Sequence, residues 1–287
     1  TNRTFETESA FNGQGFALRF NTSQANALQT RITNQGNFAA NPDLIWNNLP
    51  EVVNPNTQWG NNNQEAATAH WFGQQAFQYY SGKFGRNGIN GSGNIARVIV
   101  GFDETNARWT NNTARTINMM QFGRIETQTM ATSDVYGHEY GHGITDHRGG
   151  LVPFGEATTL NEAISDIWGT SLERYTTSNW NWVLGDEFPA WAQRNMANPE
   201  ATGQPATFEG PNWNPNSGPH QNTGFINRWF YLINSGFNNP LPQHNIVRPI
   251  EYEKAEKIVY GAYNYIQSNW GYADFRNATI SAARDLY

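Results

Sequence analysis

The sequence predicts an α+β fold in which the first half of the chain mixes strands with helices and the second half is helical. A change of pattern along the chain favours this class. Up to residue 133, turn signals and a β-branched run accompany one helix-like stretch, whereas beyond Ser133 the pattern is that of successive helices. At 287 residues and with no cysteine, the chain is long enough to bury a sizeable core without disulfides.

The first half begins with residues 1–60, which are rich in Asn, Gln, Thr and Gly and hold only short apolar islands. This composition predicts short strands and loops. Residues 66–80 then predict a helix, with Asn63 as its candidate N-cap and Gly82 as its end. Two Asn-Gly pairs mark turns before the next strands. The strands expected there are 96–102 and 116–122.

The second half is expected to hold five helices. Their pattern starts beyond Ser133 and continues to the end of the chain, without an internal repeat. The expected ranges are 134–145, 159–175, 219–234, 250–268 and 272–287.

Composition and charge exclude two classes of partner. The net charge is −6 and no stretch is basic, so the positive surface that binds a phosphate backbone is missing and nucleic acid is excluded. No apolar run approaches the ~20 residues that span a bilayer, so we expect no membrane segment. Because the chain starts at Thr1, shows no leader pattern and has no cysteine, we interpret it as a mature, secreted, extracellular chain.

The segment from His138 to His142 reads His-Glu-Tyr-Gly-His. On a helix, positions i and i+4 differ by about 40° in azimuth and about 6 Å in rise, so both imidazoles can bind one small cation. Glu139 lies about 100° further round, where it can hydrogen-bond a water near the cation but is poorly aimed at the cation itself. That placement is typical of a general base. The alternative is a helix with two ordinary histidines.

A third ligand is available at Glu162, twenty positions after His142 and in the first turn of the next expected helix. Two histidines and one carboxylate leave a tetrahedral Zn²⁺ with an open fourth position for water. Asp166, one turn further along the same face, can accept the second ring N–H of a ligating histidine. The alternative is that Thr159 and Glu162 form a capping box, in which Glu162 bonds only to its own helix terminus.

Other zinc proteins fit the sequence less well. A metzincin requires Gly and His where this chain has Thr145 and Arg148, and His147 is out of phase with the pair, so we expect it at the surface. A closed structural zinc site usually has four Cys or His ligands, and this chain has no cysteine.

These residues resemble the thermolysin family of secreted zinc endopeptidases. The match covers the His-Glu-x-x-His motif, the distal Glu162 in an Asn-Glu-Ala-Ile-Ser-Asp context and most of residues 40–287. The resemblance implies two lobes, a mixed β-rich lobe at 1–133 and a mainly helical lobe at 134–287. It also implies that the His138 helix is a central zinc-binding helix at the floor of a cleft, and that a propeptide and signal peptide are removed before Thr1.

The resemblance assigns roles residue by residue. It implies that His138, His142 and Glu162 bind one catalytic zinc, that Glu139 is the base and proton shuttle, and that Asp166 supports a ligating histidine. His220 would stabilise the oxyanion, and Arg194 would hold a substrate carbonyl. Asn106 and Ala107 would pair with the substrate backbone. Val135 and Leu184 would line an apolar pocket for a bulky residue after the scissile bond.

Two positions depart from the family pattern. Pro153 stands where the family usually has a tyrosine that donates to the oxyanion, and a donor of this kind is typically worth about 10²-fold in rate. Pro215 stands where the family usually has an aspartate that orients the ring of His220. We expect Asn214, Asn216 or a backbone carbonyl to take its place.

The resemblance also implies one structural calcium ion. Its carboxylate ligands would be Asp134, Glu173 and Asp186, joined by the Val183 carbonyl and by Asn181, which stands where an Asp is usual. Oxygen ligands of this kind suit a hard cation. The alternative is a set of scattered surface acids. The expected partners are polypeptide substrates and the removed propeptide, as inhibitor or chaperone, and we expect a monomer.

The sequence leaves two other functions open. A zinc aminopeptidase shares the motif but usually has its distal Glu one residue closer, and only an endopeptidase should cut N-acetylated peptides. A non-enzymatic secreted protein that binds glycans or proteins is suggested by the 11 tryptophans. An assay for chelator-sensitive proteolysis would separate it from an enzyme.

Overall fold

The structure is a computed structural model. It divides into two compact units, Thr1–Gly143 and Ile144–Tyr287. The expected lobe boundary, between residues 133 and 134, stays a prediction. The residues that the structure describes are 4, 8–9, 16–22, 25–33, 46–54, 63–94, 96–111, 118–188, 191, 193–238 and 246–287.

The first unit contains a five-stranded sheet and several short strand pairs. In chain order the strands are β1 (Glu8–Ser9), β2 (Phe16–Ala17), β3 (Arg19–Thr22), β4 (Ala25–Ile32), β5 (Val53–Asn54), β6 (Ala96–Val100), β7 (Ala107–Asn111), β8 (Asn118–Phe122), β9 (Arg124–Ile125) and β10 (Gln128–Thr129). The large sheet has the order β3-β4-β6-β8-β7, in which β4, β6 and β8 run parallel and the two outer strands are antiparallel.

Strand β6 confirms the buried strand expected at 96–102, although it ends at Val100. Val98, Ile99 and Val100 are fully buried, which fits a strand whose two faces are both covered. The strand expected at 116–122 is confirmed as β8, and its described residues begin at Asn118. Among the described residues β7 is the last strand in the sheet order, which makes it an edge strand there.

Helix α1 (Gln64–Phe84) connects β5 to β6 and packs on the sheet. A Cβ at Gly73 would lie 2.5 Å from Leu28 Cδ2, so glycine allows this close approach of helix and sheet. The expected end at Gly82 is wrong, because the helix continues to Phe84. Gly85, with φ of 64°, ends it by donating its N–H to the carbonyls of Ser81 and Tyr80.

The second unit is mainly helical, which confirms the expected α+β class. Helix α2 (Ser133–His147) begins in the first unit and ends in the second. The other helices of the second unit are α3 (Gly155–Thr176), α4 (Gly224–Ser235), α5 (Tyr252–Ala262) and α6 (Tyr272–Leu286). 3₁₀ turns lie at Pro199–Thr202, Gln221–Thr223 and Tyr263–Tyr265, and strand pairs join β11 (Val183–Leu184) to β12 (Arg194–Asn195) and β13 (Phe237–Asn238) to β14 (Ile246–Val247).

A buried tyrosine joins three helical segments of this unit. The hydroxyl of Tyr263 accepts a hydrogen bond from Trp168 Nε1 at 3.0 Å and lies 2.7 Å from Thr145 Oγ1. Thr145 is on the last turn of α2 and Trp168 is on α3, so this contact fixes the end of α2 against α3. In the part of the chain that the structure describes, no helix is long and apolar enough to span a bilayer.

Candidate metal centre

His138 and His142 lie on one face of α2, as their spacing predicts. Their Nε2 atoms are 3.0 Å apart, and their rings are perpendicular with centroids 4.6 Å apart. Aromatic contacts fix the helix in the first unit: Tyr136 stacks on Phe122 and Tyr140 stacks on Tyr80. The two imidazoles are therefore held by a buried helix.

Glu162 lies on α3 in the second unit, and its convergence with the two histidines stays a prediction. The expected position of Glu162 in the first turn of its helix is wrong, because α3 begins at Gly155. For the same reason the capping-box alternative is wrong: Thr159 lies inside the helix, and the N-cap is Phe154, which makes no side-chain cap bond.

The three side chains fit a zinc ion. Zinc binds imidazole nitrogen and carboxylate oxygen, and two Zn–N bonds of ~2.0–2.1 Å at a tetrahedral angle place the nitrogens ~3.3 Å apart. The observed 3.0 Å between the Nε2 atoms is close to that value. With the carboxylate of Glu162 as the third ligand, the set would be typical of a catalytic site, in which a fourth position remains for water.

Glu139 directly follows His138 on α2 and is buried. Since it lies about 100° around the helix from its neighbour, we expect that its side chain is not a metal ligand. Its role as base remains a prediction.

Asp166 lies at the centre of a buried polar cluster on α3. Its carboxylate accepts hydrogen bonds from Arg194 Nε at 2.8 Å, from Arg194 Nη2 at 2.6 Å and from Asn227 Nδ2 at 2.8 Å. All three residues are buried. The structure therefore brings together Asp166 and Arg194, which were expected separately, and adds Asn227, which sequence reasoning missed. The expected contact of Asp166 with a histidine ring stays a prediction.

His220 lies just before the 3₁₀ turn Gln221–Thr223, and its Nε2 is 3.0 Å from Glu162 Oε2. Its side chain is 59% exposed. Of the replacements expected for the missing aspartate, Asn214 is engaged with the backbone, since its Oδ1 accepts from the Asn216 N–H at 3.0 Å. The structure thus places His220 next to Glu162, a proposed zinc ligand. Among the described residues, the loop that carries His220 supplies no carboxylate to its ring.

The residues expected to bind substrate occupy an edge and two buried positions. Ala107 is the first residue of edge strand β7, and its N–H donates to the side chain of Asn106, which is exposed. Val135 on α2 and Leu184 on β11 are both buried. Pro153 is exposed, two residues before α3.

The residues expected to bind calcium lie in both units. Asp134 is buried at the start of α2, and Asp186 is followed by a further carboxylate, Glu187, which was not among the expected ligands. Asn181 donates through Nδ2 to Asp186 Oδ2 at 2.5 Å, and its Oδ1 accepts from the Val183 N–H. Glu173 is buried on α3. The acidic run Asp-Glu at 186–187 is the signal that could have identified Glu187.

Comparisons with known proteins agree on one family. The model of the thermolysin metallopeptidase catalytic domain matches residues 2–146, and the model of the family's alpha-helical domain matches residues 149–287. Bacillolysin of Bacillus cereus is 29% identical over 285 residues, which are 96% of this chain and 48% of that protein. Thermolysin of Alicyclobacillus acidocaldarius subsp. acidocaldarius is 29% identical over 275 residues, or 88% of this chain and 49% of that protein.

A solved structure supports the fold. The precursor of protealysin, a metalloproteinase from Serratia proteamaculans, aligns with a TM-score of 0.69 and 20% identity, covering 93% of this chain and 84% of that one. The chain spans about half the length of the curated relatives that it matches.

Proposed function

Because the chain belongs to the thermolysin metallopeptidase family, we propose that it is a zinc-dependent endopeptidase. The observation that carries the proposal is the pair of imidazoles on α2, whose Nε2 atoms lie 3.0 Å apart. With the carboxylate of Glu162 they would make the donor set of a catalytic rather than a structural zinc site. The buried Glu139 beside that set supplies the acid–base group that peptide hydrolysis requires.

In the proposed mechanism Glu139 accepts a proton from the attacking water and later gives a proton to the leaving amine. A zinc ion bound by the three ligands would polarise the scissile carbonyl and increase the acidity of the water. Because Glu139 is buried, its carboxylate acts in an environment where the electrostatic interaction with a developing charge is stronger than in water.

His220 and Arg194 are proposed to bind the substrate carbonyls. His220 lies 3.0 Å from Glu162, so its ring is next to the proposed metal and can donate to the oxyanion of the scissile bond. Arg194 is held by Asp166 through two hydrogen bonds, and a guanidinium in that fixed orientation has further N–H groups to donate to a carbonyl. With Pro153 in place of the tyrosine donor, His220 would carry more of the stabilisation.

The substrate is proposed to be a polypeptide bound in extended form. Edge strand β7 can accept an added strand, because its outer backbone groups face away from the sheet. Val135 and Leu184 would line an apolar pocket, so we expect cleavage before bulky apolar residues. Secretion, removal of a propeptide and a monomeric state belong to the same proposal, which is supported by the family resemblance.

One structural calcium ion completes the proposal. The carboxylates of Asp134, Asp186 and Glu187 would offer the oxygen ligands that this cation prefers. Asn181 in place of a carboxylate lowers the negative charge of this region, which favours one ion over a pair.

The test uses internally quenched peptides with an acetylated N-terminus and a central Phe or Leu. We expect internal cleavage that stops when a zinc chelator is added and returns with added Zn²⁺. Resistance of the acetylated peptide together with cleavage of its free-amine form would indicate an aminopeptidase. Hydrolysis that is insensitive to the chelator, or absent from the zinc-loaded protein, would contradict the proposal.

A further inference from the structure

The ring of His220 is placed without the carboxylate that the family pattern leads one to expect. Pro215 stands at that position. Among the residues that the structure describes, the ring contacts Glu162 through Nε2, and its side chain is 59% exposed. A histidine with so little packing needs another source of order if it is to meet a substrate oxygen within hydrogen-bonding distance.

The main chain at His220 is held by Gln204. Gln204 Nε2 donates to the His220 carbonyl at 2.6 Å and to Thr223 Oγ1 at 2.8 Å. Thr223 Oγ1 also donates to the His220 carbonyl, at 3.0 Å. Gln204 and Thr223 are buried. The Gln204 side-chain amide therefore completes a network of three hydrogen bonds, and this network fixes the backbone from which the imidazole of His220 projects.

The chain beside this network is packed too closely to shift. A Cβ at Gly224 would lie 2.6 Å from the Pro205 carbonyl and 2.8 Å from Gln204 Cβ, so glycine allows the start of α4 to press against the Gln204 segment. Asn222 adds a second clamp, donating through Nδ2 to the Asn214 carbonyl at 2.7 Å and accepting from the Asn214 N–H at 3.2 Å.

We propose that Gln204 is the positioning residue for His220 and acts through the main chain, in place of a carboxylate that acts on the ring. The proposal rests on the proposed role of His220 in stabilising the oxyanion. Gln204 itself touches neither substrate nor metal in this account. Its contribution is to keep the His220 ring within reach of the scissile carbonyl, next to Glu162.

The test compares Gln204→Glu and Gln204→Met in the zinc-loaded protein. Glu has the shape of Gln but places oxygen against the His220 carbonyl, and Met removes the donor without adding charge. We expect kcat to fall about 10-fold in both variants while KM and zinc content stay unchanged, because a small misplacement of a catalytic group lowers the rate of the chemical step. Gln221→Glu is the matched control, since Gln221 Nε2 donates to the Gly203 and Asn212 carbonyls and not to His220.

Two further measurements separate positioning from general stability. We expect the ¹³C carbonyl resonance of His220 to shift in both Gln204 variants, because each removes a hydrogen bond to that carbonyl. We also expect Gln204→Glu to have no further effect on kcat in a His220→Ala background. An unshifted resonance, or the same fall in kcat with and without His220, would overturn the inference. If His220→Ala keeps full kcat while the resonance still shifts, Gln204 positions His220 as inferred and the oxyanion role of His220 fails.

Discussion

Replacing Glu139 with Gln is expected to abolish proteolysis and leave the zinc in place. Gln has nearly the same shape but cannot accept a proton, and positioned general acid–base groups are typically worth about 10²–10⁴-fold in rate. Because Glu139 is not one of the three proposed ligands, zinc content should remain at one per chain. Both quantities can be measured on one sample, kcat/KM with a quenched peptide and zinc by elemental analysis.

The control for this prediction is Glu200→Gln, which makes the same change at an exposed position. We expect its kcat/KM to equal that of the unchanged protein. Near-normal casein hydrolysis by Glu139→Gln would refute the assignment of the base. A variant that is inactive because it has lost zinc would place Glu139 among the ligands instead.

Replacing Arg194 with Met is expected to lower the free energy of unfolding by about 3–5 kcal/mol. The substitution removes the guanidinium that donates twice to Asp166, and the Asp166 side chain is fully buried. A buried carboxylate that loses its charged partner is costly because no water replaces the lost interaction. The measurement is urea unfolding in the Glu139→Gln background, where self-digestion is suppressed.

Lys254→Met is the matched control for Arg194→Met. Lys254 Nζ pairs with Glu251 Oε1 at 3.2 Å, but both side chains are exposed. Surface pairs of this kind are typically worth about 0–1 kcal/mol. Equal losses in the two variants would show that the Asp166 cluster is not a buried ion pair in solution.

The fold was predictable where one segment carries its own signal. Strand β6 follows from its β-branched run and α2 from its helical spacing, because these patterns arise from local periodicity. The observed end of α1 and start of α3 differ from the expected positions for local reasons that periodicity does not show. Helix α1 passes Gly82 because a glycine inside an exposed helix turn costs only ~1 kcal/mol. Helix α3 starts before its apparent capping residue, since its N-cap is Phe154.

The site was predictable to the extent that a motif encodes it. His138, His142 and Glu162 could be selected by spacing and residue type alone, and the structure brings the two imidazoles together. Asn227 and Gln204 could not be selected, because each makes its contact with a residue 16 or more positions away. A lone Asn or Gln in a sequence rich in amides carries no signal until the fold shows which backbone or carboxylate it meets.

The most direct test of this account is the metal content of the purified protein together with the identity of the coordinating atoms, read from anomalous diffraction at the zinc edge. We expect one zinc per chain, bound by the imidazoles of His138 and His142 and by the carboxylate of Glu162, with a water molecule as the remaining ligand. A zinc-loaded crystal with no metal at these side chains, or with a fourth protein ligand in place of the water, would contradict the account.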